Sequence, residues 1–164
     1  MEVRVRRLRS GDEEAARALF ALMEEVFETP GEPLGDVYLQ LLLEDDRFWA
    51  MAAFDSGRIV GGMTAHTLRM TRSESSEIFI YDLAVREDVQ RRGVGRRLMM
   101  ELRDQAAAAG IRVLFVPAED EDEHALHFYR AVGGVPSPVT FFTFGDDDEG
   151  FGDDGRPRTD DGVG

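Results

Sequence analysis

The sequence predicts an α/β (α+β) domain in which one mixed, mostly antiparallel central sheet is flanked by helices. Three observations carry that class. Short β-prone apolar runs recur at residues 48–54, 59–68, 78–85, 111–116 and 139–144, lengths suited to strands. Two of these runs flank Asp55-Ser56-Gly57-Arg58, a hairpin turn. Between others lie segments with apolar residues at helical spacing, as at Val94, Leu98, Leu102 and Ala106. Strands therefore both pair as hairpins and alternate with helices, in the order β-α-α-β-β-β-α-β-α-β.

Taken in order, Val3, Val5 and Leu8, interleaved with Arg4, Arg6 and Arg7, predict the first strand. Ser10-Gly11-Asp12-Glu13 reads as a capping box, with Ser10 at the cap and Glu13 three residues on. The helix it opens buries Ala16, Leu19, Phe20, Met23, Val26 and Phe27, and Thr29-Pro30-Gly31-Glu32-Pro33 breaks it. A second helix begins at Pro33 and carries Val37, Tyr38, Leu41 and Leu42 as its apolar face. The proline-rich connection is either a wall of a binding site or a plain link between helices. Within the strand at 59–68, Gly61-Gly62 marks a bulge. A polar loop over Arg72-Ser73-Glu74-Ser75-Ser76 precedes the apolar strand at 78–85, and the helix begun at Val94 stops at Gly110. Residues 111–116 form a short buried strand, 117–123 an acidic loop, 125–132 a helix stopped by Gly133-Gly134, and 139–144 a last strand. Residues 1–144 thus form one domain. Residues 145–164, rich in Gly and Asp, form an acidic tail too poor in apolar residues to pack.

Composition narrows the partners. At 164 residues the chain is long enough to bury one core, and 43% hydrophobic with 32% charged residues is ordinary for a globular protein in water. Acids number 33 against 19 basic residues, every one of them arginine, for a formal net charge of -14. That balance argues against nucleic acid and favours cationic small molecules or basic peptides. No apolar run reaches membrane-spanning length, and the basic N-terminus has no apolar stretch after it, so neither a membrane anchor nor a secretory signal is expected. With no cysteine there is no disulfide framework, thiolate metal site or cysteine nucleophile, and a cytoplasmic location fits. His66, His124 and His127 show no ligand spacing, so no metal is expected.

The chemistry concentrates after the strand at 78–85. There Gln90-Arg91-Arg92-Gly93-Val94-Gly95-Arg96-Arg97 joins strand to helix. A glycine turn opening a helix presents unpaired N–H groups to an anion, and four arginines surround this one. No Gly-Lys-Ser/Thr follows, and the third glycine of a dinucleotide fingerprint is missing. An ordinary strand-to-helix connection with a basic surface is the alternative. Asp82 lies in the apolar strand, on the face of Ile80 and Ala84 by simple alternation. A buried carboxylate needs a partner, which is either a cationic ligand or a structural arginine. The acidic run offers Glu119, Asp120 and Glu123 to a polycation, or is a solvated loop. His124, next in line, is a proton acceptor near neutral pH or a plain surface histidine.

The turn Gln90-Arg91-Arg92-Gly93-Val94-Gly95, after a strand ending Leu83-Ala84-Val85, resembles the acetyl-coenzyme A signature of the GNAT N-acetyltransferases. The resemblance implies the GNAT fold, turn amides on the coenzyme pyrophosphate and a strand paired with the pantetheine arm. It implies acetyl-CoA contacts at Leu83, Ala84, Val85, Gln90, Arg91, Arg92, Gly93, Val94, Gly95 and Arg96. Residues 125–133, with Tyr129, resemble the GNAT segment whose helix tyrosine faces the coenzyme sulfur and protonates it. A core aromatic with its hydroxyl at the surface is the other reading of Tyr129. Tyr81-Asp82-Leu83-Ala84-Val85, Phe27 with Pro30, Tyr38-Leu39 with Leu42-Leu43, and Gly61-Gly62 look like the class I aminoglycoside 3-N-acetyltransferases, over residues 15–144. That likeness implies acetylation of an aminoglycoside amine and antibiotic resistance, with Asp82, Glu119 and Glu123 on the cationic substrate; the residues themselves offer Asp82 or His124 as base, and the lack of cysteine favours direct attack on the thioester. Proline more often stands where His124 stands, and the tail is longer than that pattern. A polyamine or peptide acetyltransferase and a non-catalytic acyl-CoA sensor are the rival functions. A homodimer is expected, with 139–144 as a surface for it.

Overall fold

In the computed structural model, which describes residues 1–145, one five-stranded sheet runs in the order β1-β2-β3-β4-β5. The strands are β1 (Val3–Leu8), β2 (Phe48–Asp55), β3 (Arg58–Arg69), β4 (Ser76–Val85) and β5 (Val113–Phe115), and the helices α1 (Glu13–Phe27), α2 (Asp36–Glu44), α3 (Val94–Ala108) and α4 (Glu123–Ala131). Strands β1 to β4 pair antiparallel and β5 joins β4 in parallel, so the sheet is mixed as expected. The tail expected after residue 145 lies outside the described residues. Among the described residues no helix is long and apolar enough to cross a membrane.

Each face of the sheet is covered, which is why β2 reads as a continuous apolar run, buried from Phe48 through Ala53. On one face α3 sets Val94, Leu98, Leu102 and Ala106 against Met51, Met63, Ile78 and Ile80. Each such leucine contributes about 1.5–3 kcal/mol on burial. On the other face α1 and α2 set Leu19, Leu22, Leu39 and Leu43 against Leu8, Ala50 and Ala52. The hairpin turn between β2 and β3 has Ser56 at φ 51° and Gly57 at φ 83°, the left-handed pair that matches strand twist.

Four local expectations are corrected and a fifth, the bulge, is located. The cap of α1 is Asp12 and not Ser10. Glu13 reaches back to the Gly11 N–H, while the Asp12 carboxylate accepts from the Arg9 N–H and Arg6. Helix α2 starts after Gly35 and is rotated from the expected face, with Leu39 and Leu43 buried and Val37, Tyr38 and Leu41 exposed. Gly61-Gly62 does mark a bulge: Gly61 pairs with Ala53 and Ile59 with Phe54, so the extra residue is the neighbouring Val60. The register slips between Ala53 and Phe54, and Gly62 is glycine because a Cβ there would strike Leu19 and the Met51 carbonyl. Strand β5 is only Val113–Phe115 and its outer side chains are exposed, because no strand lies beyond it among the described residues. Residues 139–144 form no strand. Val139, Phe141, Phe142 and Phe144 stay exposed, since β-prone residues make a strand only where a neighbour offers a ladder.

Candidate active site

The sheet opens between β4 and β5. Their parallel pairing covers Glu77, Ile78 and Phe79 on β4, opposite Val113, Leu114 and Phe115. Beyond Phe79, β4 runs on to Val85 with β3 as its neighbour on one side and, among the described residues, no ladder on the other. The β4 edge past that point, Leu83, Ala84 and Val85 included, therefore carries main-chain groups free to pair with something else. Such openings at strand carboxyl ends are where open sheets hold ligands.

The turn after β4 is braced to it. The Arg86 N–H donates to the Val60 carbonyl at 3.0 Å, and the Gln90 side-chain amide donates to the Val85 carbonyl at 3.1 Å. Arg91 at φ 59° and Gly93 at φ 85° then reverse the chain into α3. No side chain caps α3 and no acid lies in its first turn, so the amides of Val94, Gly95 and Arg96 keep the partial positive charge of a helix start. Arg91, Arg92 and Arg96 are exposed and pair with no carboxylate among the described residues. A diphosphate fits this chemistry. Gly95 serves packing instead: a Cβ there would lie 3.1 Å from the Phe128 ring and 3.8 Å from Leu83. Its absence lets α4 close on both the first turn of α3 and the open part of β4.

Asp82 is half-buried at this opening, and its Oδ2 accepts a hydrogen bond from the Thr64 hydroxyl at 3.2 Å. Burial pushes its pKa up, and the Thr64 bond opposes the rise. Its face differs from the expected one. Thr64 pairs with Asp82 and Ala65 with Ile80, so the register skips Tyr81. The bulge breaks the alternation: Ile80 joins the α3 core, while Asp82 sides with Thr64 and with Ala84 of the opposite core. Tyr129, on α4, is pushed up to about 12 by burial first, then by the charges of Asp122 and Asp82. It therefore keeps its proton at neutral pH, and its hydroxyl lies within the field of Asp82.

The acidic loop is ordered by its own backbone. The Asp122 carboxylate accepts from the Ala125 N–H at 2.9 Å and caps α4. Glu119, Asp120, Glu123 and His124 are exposed along the loop and the first turn. Asp120, Glu123 and His124 make no hydrogen bond to Asp82 or Tyr129. The structure thus brings Leu83, Gly95 and α4 together beside Asp82, with the acidic residues exposed on the loop that leads into α4. Sequence reasoning passed over Thr64, which polarity in a buried strand would have flagged, and Tyr81, whose placement follows from the bulge. A separate open hollow of about 570 Å³ lies between α1 and the β2–β3 hairpin, lined by Asp12, Glu25, Arg58 and Arg86 and by none of these site residues.

Comparison with known proteins places this arrangement. The acetyltransferase (GNAT) family model matches residues 13–133. An aminoglycoside acetyltransferase, HMB0005, from an uncultured soil metagenomic sample is similar at TM-score 0.83 and 38% identity, over 88% of this chain and 99% of that one. A second, meta-AAC0020, also from an uncultured soil metagenomic sample and crystallised with sisomicin, is similar at TM-score 0.83 and 32% identity, over 87% and 95%. Among curated proteins, uncharacterized protein ML0378 of Mycobacterium leprae (strain TN) is 33% identical over 103 residues, which cover 55% of this chain and 28% of that protein. The chain therefore spans less than a third of the length of that relative. With the family pattern running through more than half of its residues and its glycine turn beside an opened strand, this chain belongs to the GNAT family of acetyltransferases.

Proposed function

We propose that this chain acetylates an amine of an aminoglycoside, at the 3-N position, with acetyl-CoA as donor. The observation that carries the proposal is a half-buried carboxylate, Asp82, whose one hydrogen-bond partner among the described residues is the Thr64 hydroxyl, at the place where the β4 edge opens. The likeness to two aminoglycoside acetyltransferases over most of the chain supports the substrate class.

When bound, acetyl-CoA supplies an activated acetyl thioester. The α3 amides of Val94, Gly95 and Arg96, with Gly93 opening the turn and Arg91, Arg92 and Arg96 around it, hold the diphosphate. Gln90 keeps that turn against β4. The free edge at Leu83, Ala84 and Val85 takes the pantetheine arm and directs N–H groups at the carbonyl oxygen. Asp82 would pair with the substrate ammonium and take one proton from it, with His124 as relay to solvent, so that the freed amine lone pair could bond to the carbonyl carbon; the second nitrogen proton, shed after that bond forms, would restore the one Tyr129 gives up. Tyr129 gives its proton to the sulfur as the carbon–sulfur bond breaks. Glu119, Asp120 and Glu123 hold further ammonium groups of a polycation. A cytoplasmic resistance enzyme and a homodimer belong to the same proposal, the dimer supported by the exposed apolar side chains of residues 139–144.

Thiol release from acetyl-CoA, measured with sisomicin, spermidine and a basic peptide, tests the reading. Sisomicin should be turned over fastest, with the product acetylated on the 3-N amine by NMR. Tyr129→Phe should keep coenzyme binding and lose about a hundredfold in kcat. No acceleration by any aminoglycoside would defeat the substrate claim. Unaltered turnover in Tyr129→Phe would remove its acid role.

A further inference from the structure

Tyr81 is the residue the ladder skips. Because the register passes from Ala65↔Ile80 to Thr64↔Asp82, Tyr81 and Asp82 stand side by side on one face where regular alternation would oppose them. That face is marked by the ring contacts of Tyr81. It meets His66 edge-on at 6.2 Å and 76°, and Phe79 at 5.7 Å and 85°. His66 in turn packs on Phe48 at 5.3 Å, and Phe79 on Phe115 at 5.3 Å. An aromatic row therefore crosses β2, β3, β4 and β5, and Phe48 ties it to the α1–α2 side. Within this row Tyr81 is held in orientation by two ring neighbours yet remains 64% exposed, beside the half-buried Asp82.

A large ring fixed in orientation and left open to water where the β4 edge opens, beside a half-buried carboxylate, offers its face to a ligand. Its π face carries partial negative charge, and an aromatic beside a carboxylate suits one chemical class: a saturated ring bearing ammonium groups. The ring's C–H face lies on the aromatic while its charged nitrogen reaches the acid. We infer that Tyr81, held by His66 and Phe79, is the platform on which an amino sugar or aminocyclitol ring lies while Asp82 holds its amine, and that it sets the preference for cyclic over open-chain polyamines. The inference rests on the acetyl-transfer reading above and deepens it to a substrate-selecting residue.

The test compares sisomicin with spermidine in the full chain carrying Tyr81→Ala, Tyr81→Leu or Tyr81→Phe. Ala and Leu should raise KM for sisomicin by about tenfold with little change in kcat, weaken direct sisomicin binding by calorimetry in parallel, and leave KM for spermidine unchanged. Phe, which keeps the ring, should behave like the unaltered chain. Melting temperature and coenzyme A binding report whether a variant is folded. Equal losses for both amines in a folded variant, or KM for sisomicin within about twofold of the original in Tyr81→Ala, overturn the platform while the acetyl-transfer reading survives. Failure of the unaltered chain to acetylate either amine sinks that reading and the platform with it.

Discussion

Two charged side chains are drawn partly into this sheet, one from each face, and the contrast between them separates structure from chemistry. Arg7, on β1, lies on the α3 side. Its Nη2 donates to the Asp46 carbonyl at 2.7 Å and the Phe48 carbonyl at 2.6 Å, and its guanidinium sits 3.7 Å from the centre of the Trp49 ring. Burial, helped by the charge of Arg9, lowers it to about 10, which still leaves it charged at neutral pH. Only Nε is buried without a hydrogen-bond partner. Asp82, on the opposite side, has one hydroxyl for a partner and no cation among the described residues. Arg7 has been given what a buried charge needs; Asp82 has been left wanting a positive group. On the function proposed above, the carboxylate left open is the one that a cationic substrate completes.

The largest test of that contrast is Asp82→Asn. Asparagine keeps the shape and the bond from Thr64 and removes the charge, so kcat/KM for an aminoglycoside should fall by about a thousandfold while coenzyme binding persists. Stability should move the other way. Because burial raises the Asp82 pKa, the folded chain keeps this proton to higher pH than the unfolded chain does. Asp82 therefore costs stability as pH rises through that window. The variant should melt higher than the original at pH 7, and the difference should vanish in acid below the carboxylate range. A variant that loses stability at pH 7 would make Asp82 a structural residue like Arg7.

The reverse behaviour is expected of Arg7→Met. It removes two charge-assisted hydrogen bonds and the contact over Trp49, so unfolding should become easier by about 2 kcal/mol in a denaturant titration. Turnover per folded molecule should not change, because Arg7 and Asp82 lie on opposite faces of the sheet. A folded Arg7→Met chain with impaired kcat would erase the division between the two sites.

How far each site was legible in the sequence follows from what specifies it. Val94, Leu98, Leu102 and Ala106 repeat at one spacing with no rival face, so α3 and its glycine start were readable. Helix α2 holds a run of leucines that supports two faces, and tertiary packing chose Leu39 and Leu43. The run at 139–144 has strand propensity, but a strand also needs a partner, which composition does not reveal. The side of the sheet taken by Asp82 was beyond alternation because the skipped Tyr81 belongs to the pairing of two strands and to neither strand alone. Thr64 stood out as a polar residue in an apolar strand, but its partner Asp82 follows only from the pairing across that bulge.

The finest test acts on that one partner. The Thr64 hydroxyl lowers the Asp82 pKa against the rise caused by burial. Thr64→Val keeps the side-chain shape and removes the donor, so the opposing contribution disappears and the pKa rises further. If the ionised carboxylate is the working form, the acid limb of the kcat/KM profile must move to higher pH, while the plateau on the alkaline side stays nearly level with the original. At any pH the loss should stay under about tenfold, the scale of one hydrogen bond. The opposite displacement, toward acid, would mean that the hydroxyl favours the protonated carboxyl and that Asp82 works as a donor. No displacement at all would leave Thr64 a packing residue and would shift the titrating role from Asp82 to another group at the opening, with His124 the first to replace.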